Sequence, residues 1–491
     1  MELIASFDIG TTAVKAILIN NQAEIYGKYS YEINTIHGDN GAVEQSPEDW
    51  WEAIKYIANK WWEKEAIDAS DIKMITFSGQ MEDVIPILES GKKTNAILYS
   101  DTRAEAEAES INEEFPDLSI ITGNAIAAST PLAKLLWMKK NQKEKYQLTN
   151  CFVFSAKDYI IYQLTGTFAT DPVTGATTGM MDIKSRDWSN SILESIGIEP
   201  KMMPNINEPA EMVGIINREA AAETGFLENT PVLCGCGDAG ASTMGAGAIR
   251  EGDSYLYLGT TGWVAIPLRD DSPKQNGIFT LAHLPQKINI SIAPLLNVGN
   301  VYRWAARTFI DQDKKNLYQA FEESVQNSTP GSNGLLFLPY LHGERCPVND
   351  SEAKGTFWGV SPATSRSDFS RAVVEGICFS FRQILELQIK EAEGTITLIG
   401  GGAKSASWCQ CIADILGRPV RIPHESEFLP SLGAASAAFL QQGWVESYEE
   451  FVERVIKAIP ATVFFPNLGY KEIYDSAYEK YLKLYPSLKG F

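Results

Sequence analysis

Residues 3–19, LIASFDIGTTAVKAILI, decide the fold class. An apolar run, a short Gly10-Thr11-Thr12 turn and a second apolar run are the pattern of a β-hairpin. Residues 255–268, YLYLGTTGWVAIPL, repeat it. Gly10 and Gly259 stand 249 residues apart, about half of the 491-residue chain. Gly-Thr is common in turns, so chance recurrence is the plain alternative. Against it, matching strands flank both turns. Two such hairpins, one opening each half, predict two related domains, 1–247 and 248–491, meeting in the glycine-rich stretch 245–253.

Outward from the hairpins, strands alternate with helices. Residues 47–63, PEDWWEAIKYIANKWWE, follow Ser46 as a candidate N-cap and carry Pro47 and Asp49 in the first turn. Trp50, Ile54, Ile57 and Trp61 recur at helical spacing, which marks a core face rather than a sugar-stacking surface. Residues 72–78 and 395–399 predict strands ending at glycine; 367–392 and 405–416 predict helices. The C-terminal segment 447–491 predicts amphipathic helices with Tyr, Phe and Leu on one face. The alternation predicts an α/β architecture with substantial sheets.

Composition narrows the function. Hydrophobic residues make up 44% and charged residues 21%, which excludes disordered, collagen-like and coiled-coil chains. The formal net charge of −20, from 42 Lys+Arg against 62 Asp+Glu, argues against nucleic-acid and anionic-membrane surfaces. Small phosphorylated ligands stay open, because backbone N–H groups and a metal ion can hold them. The start lacks a basic n-region, no run of 18 residues is uncharged and strongly apolar, and seven cysteines are thinly spread. These features predict a cytoplasmic chain with reduced thiols. The pairs Cys234/Cys236 and Cys409/Cys411 lack the spacing of structural zinc sites and are expected to be small buried hydrophobes.

Three features carry chemistry. Asp8 interrupts an apolar strand directly before Gly10-Thr11-Thr12. It suits Mg²⁺ on a nucleotide phosphate, or it caps the turn. Paired with Gly259-Thr260-Thr261, the turn becomes one of two phosphate-binding hairpins facing a nucleotide. Asp238 lies among small residues in CGCGDAGAS, either as a general base or as a helix N-cap. Gly400-Gly401-Gly402-Ala403 joins strand to helix, as nucleotide-contact loops do.

The chain resembles the FGGY carbohydrate kinases over nearly its whole length. Two segments fit the family's signatures: Ser129 to Lys140 (STPLAKLLWMKK), and Gly355 to Val360 (GTFWGV) followed after seven residues by Asp368 to Glu375 (DFSRAVVE). Further segments are similar to the xylulose kinase branch: Ser78-Gly79-Gln80-Met81, Lys157-Asp158-Tyr159, residues 337–341 (FLPYL), Gly343-Glu344-Arg345, and residues 398–403 (LIGGGA). The resemblance implies two ribonuclease-H-like domains of the actin-like ATPase fold around a central cleft. It implies an ATP- and Mg²⁺-dependent kinase of a small sugar, with a homodimer possible. In this reading Asp238 is the catalytic base and Asp8 the metal-facing carboxylate. Gly10, Thr11, Thr12, Lys15, Gly259, Thr260 and Thr261 meet phosphates. Gly299, Gly401, Gly402 and Ala403 hold the adenosine, and Gln80, Met81, Glu82 and Asp83 hold the sugar.

The chain departs from the xylulose kinase pattern at two places. Glu82 and Asp83 follow the Gln-Met pair, where His is usual, and Ala239 replaces the usual Asn after the base. Either Glu82 and Asp83 accept sugar hydroxyls, or they turn away to cap a neighbouring element. Acids in the pocket disfavour the carboxylate of gluconate, the substrate of close relatives. The expected acceptor is a neutral ketopentose or polyol, D-xylulose first, with gluconate or another pentulose as alternatives. An actin-like ATPase sensor is the alternative of a different class. His342 either approaches the nucleotide or orders its loop.

Overall fold

Strand Leu3–Ile9 shows how the sequence builds the structure. Successive side chains of a strand point to opposite faces. Leu3, Ala5, Phe7 and Ile9 enter one core with Trp50, Ile54, Ile57 and Trp61 of helix Pro47–Lys64. Ile4 enters another core with Leu432, Ala434 and Ala435, and the Ser6 hydroxyl on the same face donates to the Ser431 carbonyl. Asp8 shares that face. It therefore points toward the second half of the chain, away from the tryptophan core. The computed structural model describes residues 1–91, 94–270, 274, 277–311, 316–389 and 393–490.

Each half is organised on a seven-stranded mixed sheet. In the first, Leu3–Ile9 pairs antiparallel with Ala13–Asn20 and parallel with Ile72–Gly79, and Ile25–Glu32 extends the antiparallel side. In the second, Tyr255–Leu258 pairs antiparallel with Gly262–Leu268 and parallel with Ile396–Ile399, and Asn289–Leu295 extends the antiparallel side. The repeated hairpin thus sits at the same place in both sheets. This is the two-domain, ribonuclease-H-like α/β architecture with a central cleft. In the second hairpin Leu256 and Leu258 enter the core of their own half, while Tyr255 faces the core shared with the first.

Two details differ from expectation. The long helix is Arg366–Gln388; Ile389 is extended, and residues 390–392 lie outside the described residues. The C-terminal segment is not purely helical, because Ala461–Phe464 adds an edge strand to the second sheet. Four residues are too few to show a period. The following helix Lys471–Leu488 buries Tyr474, Tyr478, Tyr481 and Leu484 in the second core. Ser46 occupies the cap position of Pro47–Lys64 without a side-chain cap bond. Among the described residues no helix is long and apolar enough to cross a membrane.

The halves meet where helix Leu429–Gln441 crosses helix Asp238–Gly245. A Cβ on Gly433 would lie 2.0 Å from the Ala241 carbonyl oxygen, and that obstacle is backbone, which cannot swing aside. Overpacking of this kind costs about 1–3 kcal/mol. Gly433→Ala should lower the thermal midpoint by about 1–3 °C. An unchanged midpoint in a calorimetric scan would show that the two helices slide apart freely.

Candidate active site

Asp238 is the first residue of helix Asp238–Gly245, with Gly237 in the cap position, so its carboxylate is not spent as an N-cap. Strand Cys236–Gly237 runs parallel to Ile72–Gly79 and delivers it to the cleft. Gly237 leaves room for Met81: a Cβ there would sit 2.0 Å from the Met81 sulfur and would push that side chain aside. The carboxyl is raised to about 7 by desolvation first, then by the Asp8, Glu82 and Asp171 charges, against the Ala239 N–H that favours ionisation. A carboxylate near pH 7 is poised to take a proton.

Asp8 is buried and accepts from the Ser78 hydroxyl at 2.8 Å. The turn after it is closed by its own backbone, Gly10 N–H to the Ala13 carbonyl at 3.1 Å, and so does not need Asp8. Asp8 is paired across the hairpin with Lys15, which puts both side chains on one face. Desolvation raises the Asp8 carboxyl, offset by Ser78 and Lys15.

Three cavities line up along the cleft. The first, about 320 Å³, has a polar wall including Thr11, Glu82, Tyr99, Thr177 and Asp238, and an apolar wall of Met81, Trp263, Phe279, Leu281 and Ile292. The second, about 570 Å³, is lined by Asp8, Lys15, Gly401, Ala403, Lys404 and Glu427 among others. The third, about 680 Å³, holds Gly259, Thr260, Gly299, Gly401, Gly402 and Lys404, with Tyr302 stacked on Trp408 at 4.6 Å. Ser242 and Trp263 border the first and second cavities; Tyr257, Gly401 and Lys404 border the second and third. The cavities adjoin in a row, with Asp238 in the wall of the first and Asp8 in the wall of the second. At the far end, Gly299 and Asn300 donate to the Gly259 and Thr260 carbonyls at 3.0 Å, joining a helix start to the second hairpin.

Not every expected residue reaches a wall. Gln80 is buried behind the first hairpin, where it accepts from the Thr11 hydroxyl and donates to Gln45. Asp83 is wholly buried; its carboxylate accepts from the Tyr99 N–H and thereby seats a wall residue. Gly10, Thr12 and Thr261 complete the turns without lining these cavities. His342 is exposed, and its N–H donates to Asn297, which ties the loop. All seven cysteines are buried free thiols.

Glu82 does reach the wall, in a left-handed conformation with φ 61°. The signature residue Lys134 holds it there. Its buried ammonium donates to the Glu82 carbonyl at 2.8 Å and to the Leu98 carbonyl at 2.6 Å. Burial pushes Lys134 down to about 8, against the pull of Glu82 and Asp83. The structure adds residues that sequence patterns did not single out. Tyr99, Thr177, Trp263, Phe279, Leu281, Ile292 and Lys404 are spread over several strands and loops, with Phe279 and Leu281 sharing one strand. Trp263 could have been suspected from its place beside the repeated turn.

Among the described residues no group of three or more His, Cys, Asp or Glu is placed to hold a metal by itself. One Asp8 oxygen engages Ser78, and the side chain borders the second cavity. A single carboxylate with room around it fits Mg²⁺, which keeps most of its waters and shares phosphate oxygens.

The family model of the FGGY family of carbohydrate kinases matches in two parts: its N-terminal domain over residues 3–245 and its C-terminal domain over 295–441. A xylulose kinase of Bacillus subtilis is 32% identical, covering 100% of this chain and 98% of its own length. A ligand-bound xylulose kinase of Lactobacillus acidophilus superposes with a TM-score of 0.90 at 27% identity, over 100% of this chain and 99% of the other. A gluconate kinase of the same organism superposes with a TM-score of 0.91 at 27% identity, over 100% and 98%.

The raised Asp238 carboxyl has a consequence for stability. Between about pH 4 and 7 the folded chain holds a proton that the unfolded chain releases. The group's stabilising contribution is complete below about pH 4 and is lost as pH rises through 7. Asp238→Asn removes that loss. It should melt a few degrees above wild type at pH 8, with the gap closing toward pH 4. An Asn variant melting at or below wild type at pH 8 would contradict the electrostatics described.

Proposed function

Because this chain belongs to the FGGY family of carbohydrate kinases, we propose that it transfers the γ-phosphoryl group of ATP to a terminal hydroxyl of a neutral ketopentose, D-xylulose first. The observation that carries this reading is the row of adjoining cavities, with Asp238 in the wall of the sugar-sized one and Ser242 and Trp263 shared between it and the next. In the proposed reaction the sugar occupies the first cavity with Glu82 accepting from its hydroxyls. Asp238 takes the proton of the terminal hydroxyl as that oxygen attacks the γ-phosphorus. Lys15 and the two hairpin turns offset charge on the phosphates, and the adenosine lies against Gly401, Gly402 and the Tyr302 side of the third cavity. Mg²⁺, held by the nucleotide and faced by Asp8, would neutralise the phosphoryl oxygens when bound. An ATP-consuming kinase of this kind is proposed to work in the cytoplasm, with the domains 1–247 and 248–491 closing on the substrates to exclude water.

The sugar assignment rests on wall chemistry as well as likeness. Among the described residues no Lys or Arg lines the first cavity, whereas Glu82 and Asp238 do. Lys134, the cation just behind the wall, is engaged by backbone carbonyls. A sugar acid would meet two carboxylates in the wall itself, with the Lys134 charge behind them already shared by Glu82 and Asp83, whereas a neutral polyhydroxyl compound meets acceptors.

ADP release from ATP, measured with D-xylulose, D-ribulose, gluconate and glycerol, tests the reading. D-xylulose should stimulate most and gluconate least; gluconate ahead of the neutral sugars overturns the sugar assignment. Asp238→Ala should cost about two to four orders of magnitude in kcat. In wild type, kcat/KM should fall as pH drops through about 7, because the base must be ionised. A flat profile from pH 6 to 8, or near wild-type turnover in the Ala variant, would remove Asp238 from the role. Asp8→Ala should raise the Mg²⁺ requirement and leave sugar binding alone; an unchanged Mg²⁺ dependence counts against Asp8.

A further inference from the structure

We propose that Asp171 is the positioning residue of the base, clamping the Gly237 peptide through a buried Lys157–Asp158–Asp171 cluster; the inference rests on the assignment of Asp238. Lys157, Asp158 and Asp171 are all fully buried. The Lys157 ammonium lies 2.7 Å from Asp158 and 3.0 Å from Asp171. Two acids on one lysine leave a negative charge unbalanced in the interior. Such clusters are weak sources of stability, so their presence calls for another account.

The bonds of Asp171 supply it. One carboxylate oxygen accepts from the Val173 N–H at 2.9 Å, the Thr174 N–H at 3.3 Å and the Gly237 N–H at 3.2 Å. The other accepts from the Thr174 hydroxyl at 2.6 Å and faces Lys157. One side chain therefore ties together three segments. They are the start of helix Ala156–Thr165, the turn leading to Thr177 in the wall of the first cavity, and the Cys236–Gly237 peptide, one residue before Asp238. The carboxylate holds the Gly237 N–H one residue before Asp238, and the Met81 sulfur packs where a Cβ of residue 237 would lie. The backbone leading into Asp238 is thereby restrained. Misplacing a reacting group by about 1 Å costs on the order of 10²-fold in rate. The same cluster explains why Lys157 and Asp158 stand together in the sequence: Asp158 accepts from the Phe154 N–H and fixes the lysine that fixes Asp171.

The test compares Asp171→Ala and Asp171→Asn with wild type and Asp238→Asn. The acceptor is the best sugar among D-xylulose, D-ribulose, gluconate and glycerol, and rates are counted per ADP-binding site so that unfolded protein does not register. Asp171→Ala should lose about 100-fold in kcat while KM for ATP moves less than about threefold. Asp171→Asn keeps an oxygen for Gly237 and should recover at least about tenfold of that loss. Wild-type kcat per site in Asp171→Ala, or no recovery in Asp171→Asn, overturns the proposal. If Asp171→Ala yields no folded protein, Asp171→Glu replaces it. That variant keeps the charge but moves the oxygen, so it should fall below Asp171→Asn, and the reverse order overturns the proposal. Full turnover in Asp238→Asn would instead remove the base assignment itself. An inactive Asp238→Asn beside a fully active Asp171→Ala would remove the positioning role alone.

Discussion

The backbone contact between helices Leu429–Gln441 and Asp238–Gly245 is the constraint on which the site depends. Each helix opens at the cleft: Asp238 begins one, and residues 425–430 lead into the other along the second cavity. The first sheet is pinned to the same contact. Ser6 donates to the Ser431 carbonyl, Thr76 to Ala434, and the Ser431 hydroxyl to Lys15. Strands bearing Asp8 and Lys15 are thus indexed to the helix of the other half. Close packing transmits such indexing, since interiors tolerate little slack. A site assembled from both halves needs this kind of rigid reference.

Electrostatics pull the other way. Asp8, Glu82 and Asp238 crowd a region where burial already penalises charge, and each carboxyl is raised from its ordinary value. The cations in reach are placed unevenly. Lys15 and Lys404 line the second cavity, whereas Lys134 and Lys157 are buried behind the walls. Lysines therefore stand in the wall of the second cavity, beside the acids Asp8, Glu425 and Glu427, whereas among the described residues none stands in the wall of the first. The formal net charge of −20 is compatible with nucleotide use because attraction is delivered locally, within a Debye length, and not by the surface as a whole.

The fold was legible from a few residues. The paired Gly-Thr-Thr hairpins imply two related sheets, and the tryptophan stripe at 50–61 implies the core it forms. Asp8 was legible because a charge in an apolar strand violates local propensity, which is where function tends to show. Asp83 and Gln80 were less so. Adjacent to Met81 and Glu82, they share the same motif, yet the chain turns sharply at Glu82 and sends Asp83 inward. Adjacency in sequence carries no information about that turn. Of the apolar wall only Met81 was legible, because Phe279, Leu281 and Ile292 are ordinary strand residues until the second sheet brings them over the first domain. Signature residues such as Lys134 were visible as pattern, but their physical work, holding Glu82 and Leu98 by their carbonyls, arises only from the fold.

That apolar wall bears on how the reaction excludes water. Strand Phe279–Ala282 belongs to the second sheet, but Asn124 of the first half grips it with two bonds, donating to the Thr280 carbonyl at 2.7 Å and accepting from the Thr280 N–H at 2.8 Å. Arg186 adds bonds to the carbonyls of His283, Pro285 and Ile288. The sugar-sized cavity is consequently walled by both halves, its polar side mainly from the first and its apolar side mainly from the second. A polyhydroxyl ligand entering it meets acceptors on one face and loses water on the other. Each polar contact then acts in a medium poorer in water, where it is stronger. Specificity and water exclusion therefore share one origin, the docking of the second sheet across the first domain.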